Sequence, residues 1–115
     1  MREFCLVGIA LLLTACGGAA VPQEPLTAAK AAVAGAEVGG AASDPKAALH
    51  LKLAKEYVAK AESLIADGDN EEAARIIDRA QADADLALAL AKETAAEKEA
   101  QDTKESLDRL RKQAQ

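Results

Sequence analysis

Leu64-Ile65-Ala66-Asp67-Gly68-Asp69-Asn70-Glu71-Glu72-Ala73-Ala74 is the stretch that decides how this chain folds. Apolar residues at helical spacing run up to it and away from it. Gly68 suits the left-handed conformation that follows a helix end, because it has no Cβ to clash. Asp69 followed three residues later by Glu72 has the spacing of a capping box, with Asp in place of Ser or Thr. A break this short turns the second helix back antiparallel to the first.

Upstream of the break, Ser43-Asp44-Pro45 is a helix start: a capping carboxylate, then Pro where a missing N–H costs nothing. From residue 45 to 66, Leu53, Tyr57, Ala61, Leu64 and Ile65 form the main apolar stripe, with Leu49, Ala54 and Val58 beside it. Lys52, Lys55, Glu56, Lys60 and Glu62 lie largely off it, as on an amphipathic helix. Downstream, a helix is expected over about 70–112. Ala73, Ile77, Ala80, Ala84, Ala87, Ala91 and Thr94 alternate in steps of four and three, a heptad seam made mostly of alanine. Ile76, Leu86, Leu88 and Leu90 widen its apolar face. Beyond Lys92 the register continues in the polar residues Lys98, Gln101, Glu105 and Asp108, and only Leu107 and Leu110 return. Pairs such as Glu105–Arg109 and Asp108–Lys112 can support an exposed helix there. The C-terminal third is expected to project as a single helix or to fray.

Nearer the N-terminus, Leu26, Ala29, Val33 and Ala36 recur at helical spacing over about 26–38, with Pro25 at a first helical position and a stop at Gly39-Gly40. Residues 16–25 read as a flexible tether and 26–115 as one Ala-rich domain. The expected class is all-α: an antiparallel hairpin or a three-helix bundle with a long C-terminal helix.

The first fifteen residues have another character. Arg2 precedes an apolar run from Phe4 to Leu13, interrupted only by Gly8. About ten residues suit a secretory signal core, whereas a membrane-spanning helix needs roughly 20. Leu13-Thr14-Ala15-Cys16 then resembles the lipobox of bacterial lipoproteins at all four positions. The resemblance implies cleavage between Ala15 and Cys16, a diacylglyceryl thioether on Cys16, and palmitate or another acyl chain on the new amino terminus. Two or more chains anchor a protein stably where one does not. By the same resemblance, to lipoproteins of two-membrane bacteria, in which an Asp after the cysteine favours the inner membrane, Gly17 at that position implies the periplasmic face of the outer membrane. Cys5 would leave with the signal and Cys16 would be acylated, so no disulfide is expected in the mature monomer.

Composition narrows the function. The 115 residues carry 19 acids against 14 bases, a net charge of −5. Tyr57 is the single aromatic after the signal, so neither an electrostatic footprint nor a stacking platform for nucleic acid is present. Asp67, Asp69, Glu71 and Asp78 fall at calcium-loop offsets, but Glu72 stands where the loop glycine belongs and Asp78 where its Glu belongs. A cap at Asp69 and a favourable helix N-terminus at Glu71 explain these acids better. Glu71, Asp78 and Asp85, seven residues apart, read as a solvated face. His50 has no Cys or second His with which to share a metal. No serine has a His–Asp set, and there is no glycine-rich phosphate loop. Neither catalysis nor a cofactor or metal is expected.

The lipobox, the Ala-rich segment Ala28 to Val38, Asp44-Pro45, the Leu53 to Ala61 segment, Gly68 with Glu72-Ala73-Ala74, and the Ala/Asp/Leu run from Ala80 to Ala91 together resemble the bacterial envelope family catalogued as domain of unknown function 4398. The resemblance implies an Ala-rich helical envelope domain without an assigned activity. Some members are similar to the leader part of proteins with an OmpA-like peptidoglycan-binding domain. With Gln115 last, neither that domain nor wall linkage through a terminal lysine is expected here. The hairpin also looks like one tetratricopeptide unit, where a binding groove usually needs three or more. Two roles follow: a lipid-anchored scaffold or interaction protein of the cell envelope, self-associating or meeting an envelope partner through its Ala-rich face, or a module whose alanine seam accepts a partner helix or a small ligand.

Overall fold

The computed structural model describes residues 17–115. Within them run three helices, α1 (Gln23–Val38), α2 (Pro45–Ala66) and α3 (Asn70–Gln113), with one 3₁₀ turn at Ala41–Ser43. Lys30 pairs with Glu62 and Glu37 with Lys55, so α1 and α2 run antiparallel. His50 meets Asp83 and Asp44 meets Thr94, so α2 and α3 are antiparallel as well. The result is an up-down-up three-helix bundle, from which the last half of α3 extends alone.

The core is built on alanine. Ala29, Ala36, Ala41, Ala47, Ala54, Ala61, Ala73, Ala80, Ala84 and Ala87 are fully buried, and Ile77 is the large side chain buried completely among them. Small side chains let helix backbones approach closely, toward the low end of the usual ~8–10 Å interaxial range. Two clusters result. Leu26, Ala29, Ala61, Ile76, Ile77 and Ala80 pack near the α2–α3 turn, and Ala36, Ala41, Ala47, Leu51, Ala87 and Ala91 pack at the other end. On all three helices the inward residues repeat by fours and threes: Leu26-Ala29-Val33-Ala36, Ala47-Leu51-Ala54-Val58-Ala61-Ile65 and Ala73-Ile77-Ala80-Ala84-Ala87-Ala91. A shared heptad period keeps three seams in register.

Four expectations change in the structure. Helix α1 begins at Gln23, inside the stretch read as tether, and Pro25 is its third residue. Proline is tolerated there because the first four N–H groups of a helix have no intrahelical partner. On α2 the buried leucine is Leu51; Leu53 is half-buried and Leu49 is 57% exposed. The phase of α2 is set by Ala47, Ala54 and Ala61, whose small side chains are fully buried, and Leu51 falls between them. The Asp69–Glu72 capping box does not form. Asp69 makes no side-chain cap, and the Glu72 carboxylate instead accepts from Arg75 Nε at 2.9 Å, a charge-assisted bond stronger than one to a neutral amide. On the extended part of α3, Asp108 approaches Arg111 at 3.8 Å and Arg109 donates to Ser106 Oγ at 3.2 Å, instead of the Asp108–Lys112 and Glu105–Arg109 pairs.

The α2–α3 turn closes as the glycine reading anticipates. Gly68 has φ +84°, its N–H donates to Ile65 O at 3.1 Å, and the Asp69 N–H donates to Leu64 O at 2.8 Å. These two bonds form the Schellman pattern that satisfies the last carbonyls of α2. Gly40, φ +87°, ends α1 in the same left-handed region.

Candidate functional site

Three features stand apart from the packed core. The first is the bundle end that carries the Gly68 turn. The Asn70 side-chain amide donates to Ala19 O at 3.0 Å, which seats the start of the described chain against the N-terminus of α3. Glu71 and Glu72 both hold Arg75, at 2.8 and 2.6 Å. These bonds, from Glu72 first, hold the guanidinium above its ordinary pKa and lower that of Glu72. Glu71 and Glu72 lie where an N-terminal helix dipole favours acids. Asp67, Asp69 and Asp78 are solvent-exposed, and among the described residues no group of three His, Cys, Asp or Glu side chains could hold a metal ion.

The second feature is the opposite end. Asp44 caps α2: one carboxylate oxygen accepts from the Ala47 N–H at 2.7 Å and the other from the Thr94 hydroxyl at 2.8 Å. The Ala47 bond, then the Thr94 bond, lowers the Asp44 pKa below the ordinary carboxylate value. About two turns further along α2, half-buried His50 meets Asp83 across the α2–α3 interface, Nδ1 to Oδ1 at 2.7 Å. The histidine is thus an inter-helix tie. A partner 33 residues away had no local signal in the sequence.

The third feature is the outer face of α3. Burial along the seam ends at Ala91, and every residue from Lys92 onward is exposed. That extension, Lys92 to Gln113, is about 33 Å of helix at ~1.5 Å per residue. Leu107 and Leu110 stand 50% and 61% exposed on it, and Leu86 is 43% exposed on the outer face of the bundle. The Ala73–Ala91 seam itself is covered by α1 and α2. No described helix is long and apolar enough to cross a membrane.

Residues 24–103 match the family described as domain of unknown function DUF4398. The chain belongs to this family. The DUF4398 match starts inside α1, takes in all of α2 and stops on the α3 extension short of Leu107 and Leu110. No curated protein and no solved structure matches the chain. The cleavage and lipidation residues read from the sequence, Ala15 and Cys16, lie outside the described residues and upstream of the DUF4398 match.

Proposed function

We propose that this DUF4398 chain is a lipid-anchored cell-envelope protein that acts as a helical scaffold or interaction element, and that it does not catalyse a reaction. The observation that carries the reading is the polarity of the bundle. The Asn70–Ala19 bond holds residue 19 at the Gly68 end, three residues from the lipobox cysteine, while α3 leaves from the other end. A molecule acylated at Cys16 would stand on the membrane by that end and carry about 33 Å of single helix away from it. The polar side chains of the bundle support a structural role, because Asp44, Thr94, His50 and Asp83 bond helix to helix. The lipobox supports acylation, and Gly17 after the cysteine supports the periplasmic face of the outer membrane.

Metabolic labelling with palmitate tests the anchor. The full chain should take up label, sediment with outer-membrane vesicles, and begin at residue 16 by mass. Cys16→Ser should lose the label and leave unprocessed or soluble chain. An unlabelled native chain with residues 1–15 still attached would remove the reading.

A further inference from the structure

Beside its inward seam, α3 carries a second heptad stripe on its opposite face. Ala82, Leu86, Ala89, Glu93, Ala96, Ala100, Thr103, Leu107 and Leu110, with Ala114 at the C-cap, follow one another by fours and threes without interruption. Each of these side chains is exposed. At 100° per residue the stripe lies roughly opposite the Ala73–Ala91 seam, so α1 and α2, packed on that seam, leave it clear along its length. It spans more than four heptads, above the three to four that sustain a coiled coil.

We propose that this face pairs with the same face of a second copy of the chain, as a parallel, in-register two-stranded coiled coil. Charge decides both occupant and direction. Taking Ala82, Ala89, Ala96, Thr103 and Leu110 as d positions and Leu86, Glu93, Ala100, Leu107 and Ala114 as a positions, the flanking e and g positions between 92 and 104 are Lys92, Glu97, Glu99 and Lys104. In a parallel pair, each g residue faces the e residue five positions on in the other strand. Lys92 then meets Glu97 of the second copy, and Glu99 meets Lys104 of the second copy. Two-fold symmetry makes four attractive contacts and no repulsive one at these positions. Antiparallel alignment about Gln101 and Asp102 retains only the Glu97–Lys104 contact and sets Glu99 against Ser106. Among the described residues, Lys92, Glu97, Glu99 and Lys104 take part in no ion pair, unlike Lys30, Lys55 and Arg75 of the bundle. Glu93 and Thr103, polar at core positions, weaken the seam while fixing its register. The inference deepens the scaffold reading and rests on its interaction half; acylation of Cys16 is neither required nor tested by it.

Single cysteines at Ala100, Leu107, Leu110 and the off-stripe control Lys98, introduced into the full chain and oxidised in intact cells, test the pairing against the parent chain with Cys5 and Cys16 alone. Disulfide-linked homodimers should form at 100, 107 and 110 and not at 98. Lys92→Glu with Lys104→Glu should abolish them, and adding Glu97→Lys with Glu99→Lys should restore them. Linking at 100 without 110 would mean an antiparallel pair. Equal linking at 98, adducts with a different protein, or no adduct from a chain of normal helicity would each overturn the proposal. Palmitate labelling, read separately, reports on the anchor alone.

Discussion

The Thr94 hydroxyl donates to Asp44 Oδ2 at 2.8 Å, tying the N-cap of α2 to α3 three residues beyond Ala91, where burial along the α3 seam ends. The other Asp44 oxygen caps α2 through the Ala47 N–H. One carboxylate therefore starts a helix and marks where the bundle ends.

That double use makes the Asp44 end sensitive to acid. The Ala47 and Thr94 bonds lower the folded pKa of Asp44 below its unfolded value of about 3.9. A depressed carboxylate contributes its stability above the unfolded value and loses it as pH falls through the folded one. Thermal stability followed by circular dichroism should fall below about pH 4. Thr94→Val should raise the Asp44 pKa measured by NMR. An unchanged titration in that variant would show that the Thr94 bond has no part in the shift.

Leu49 and Leu51 are two residues apart on α2 and should answer oppositely to truncation. Leu51 is 4% exposed and Leu49 57%. Leu51→Ala should cost about 2–5 kcal/mol in denaturant unfolding, as should Ile77→Ala. Leu49→Ala should stay within about 0.5 kcal/mol. Equal losses at Leu49 and Leu51 would contradict the phase of α2.

The alanine seam should resist enlargement. Ala84 is fully buried where the helices meet. Ala84→Leu should destabilise by about 1–3 kcal/mol through overpacking, although leucine is as apolar and nearly as good a helix former. The same change at exposed Ala89 should be close to neutral for the isolated bundle.

Glycines should separate by backbone position. Gly68 has φ +84°, so Gly68→Ala should cost about 1–2 kcal/mol. Gly35 lies within α1 with open space where a Cβ would go, so Gly35→Ala should stabilise by about 0.5–1 kcal/mol. Melting temperatures of the two variants should move in opposite directions.

Much of the fold was legible because its signals are local. The turn at Gly68, the Asp44-Pro45 start and the alanine seam of α3 each depend on residues within a turn or two of one another. What was not legible depends on distant partners. Nothing near His50 announces Asp83, and nothing in Glu72 says that Arg75 will draw it from its capping position. The outer stripe was visible only as the return of Leu107 and Leu110. Its repeat emerges once the inner seam is known to be occupied, since Ala82, Ala89 and Ala96 look like the alanines of the core.

The sequence by itself determined three helices, their breaks and the heptad period, because spacing and turn chemistry act over a few residues. The Ala73–Ala91 seam of α3 and its fading beyond Lys92 were legible in the same way. Only the tertiary structure decided which face of α2 turns inward and which polar side chains tie one helix to the next. Leu49 and Leu53 follow the helical period as Leu51 does, and a period carries no information about neighbours; the choice came from α1 and α3 packing on the side that carries Ala47, Leu51 and Ala61.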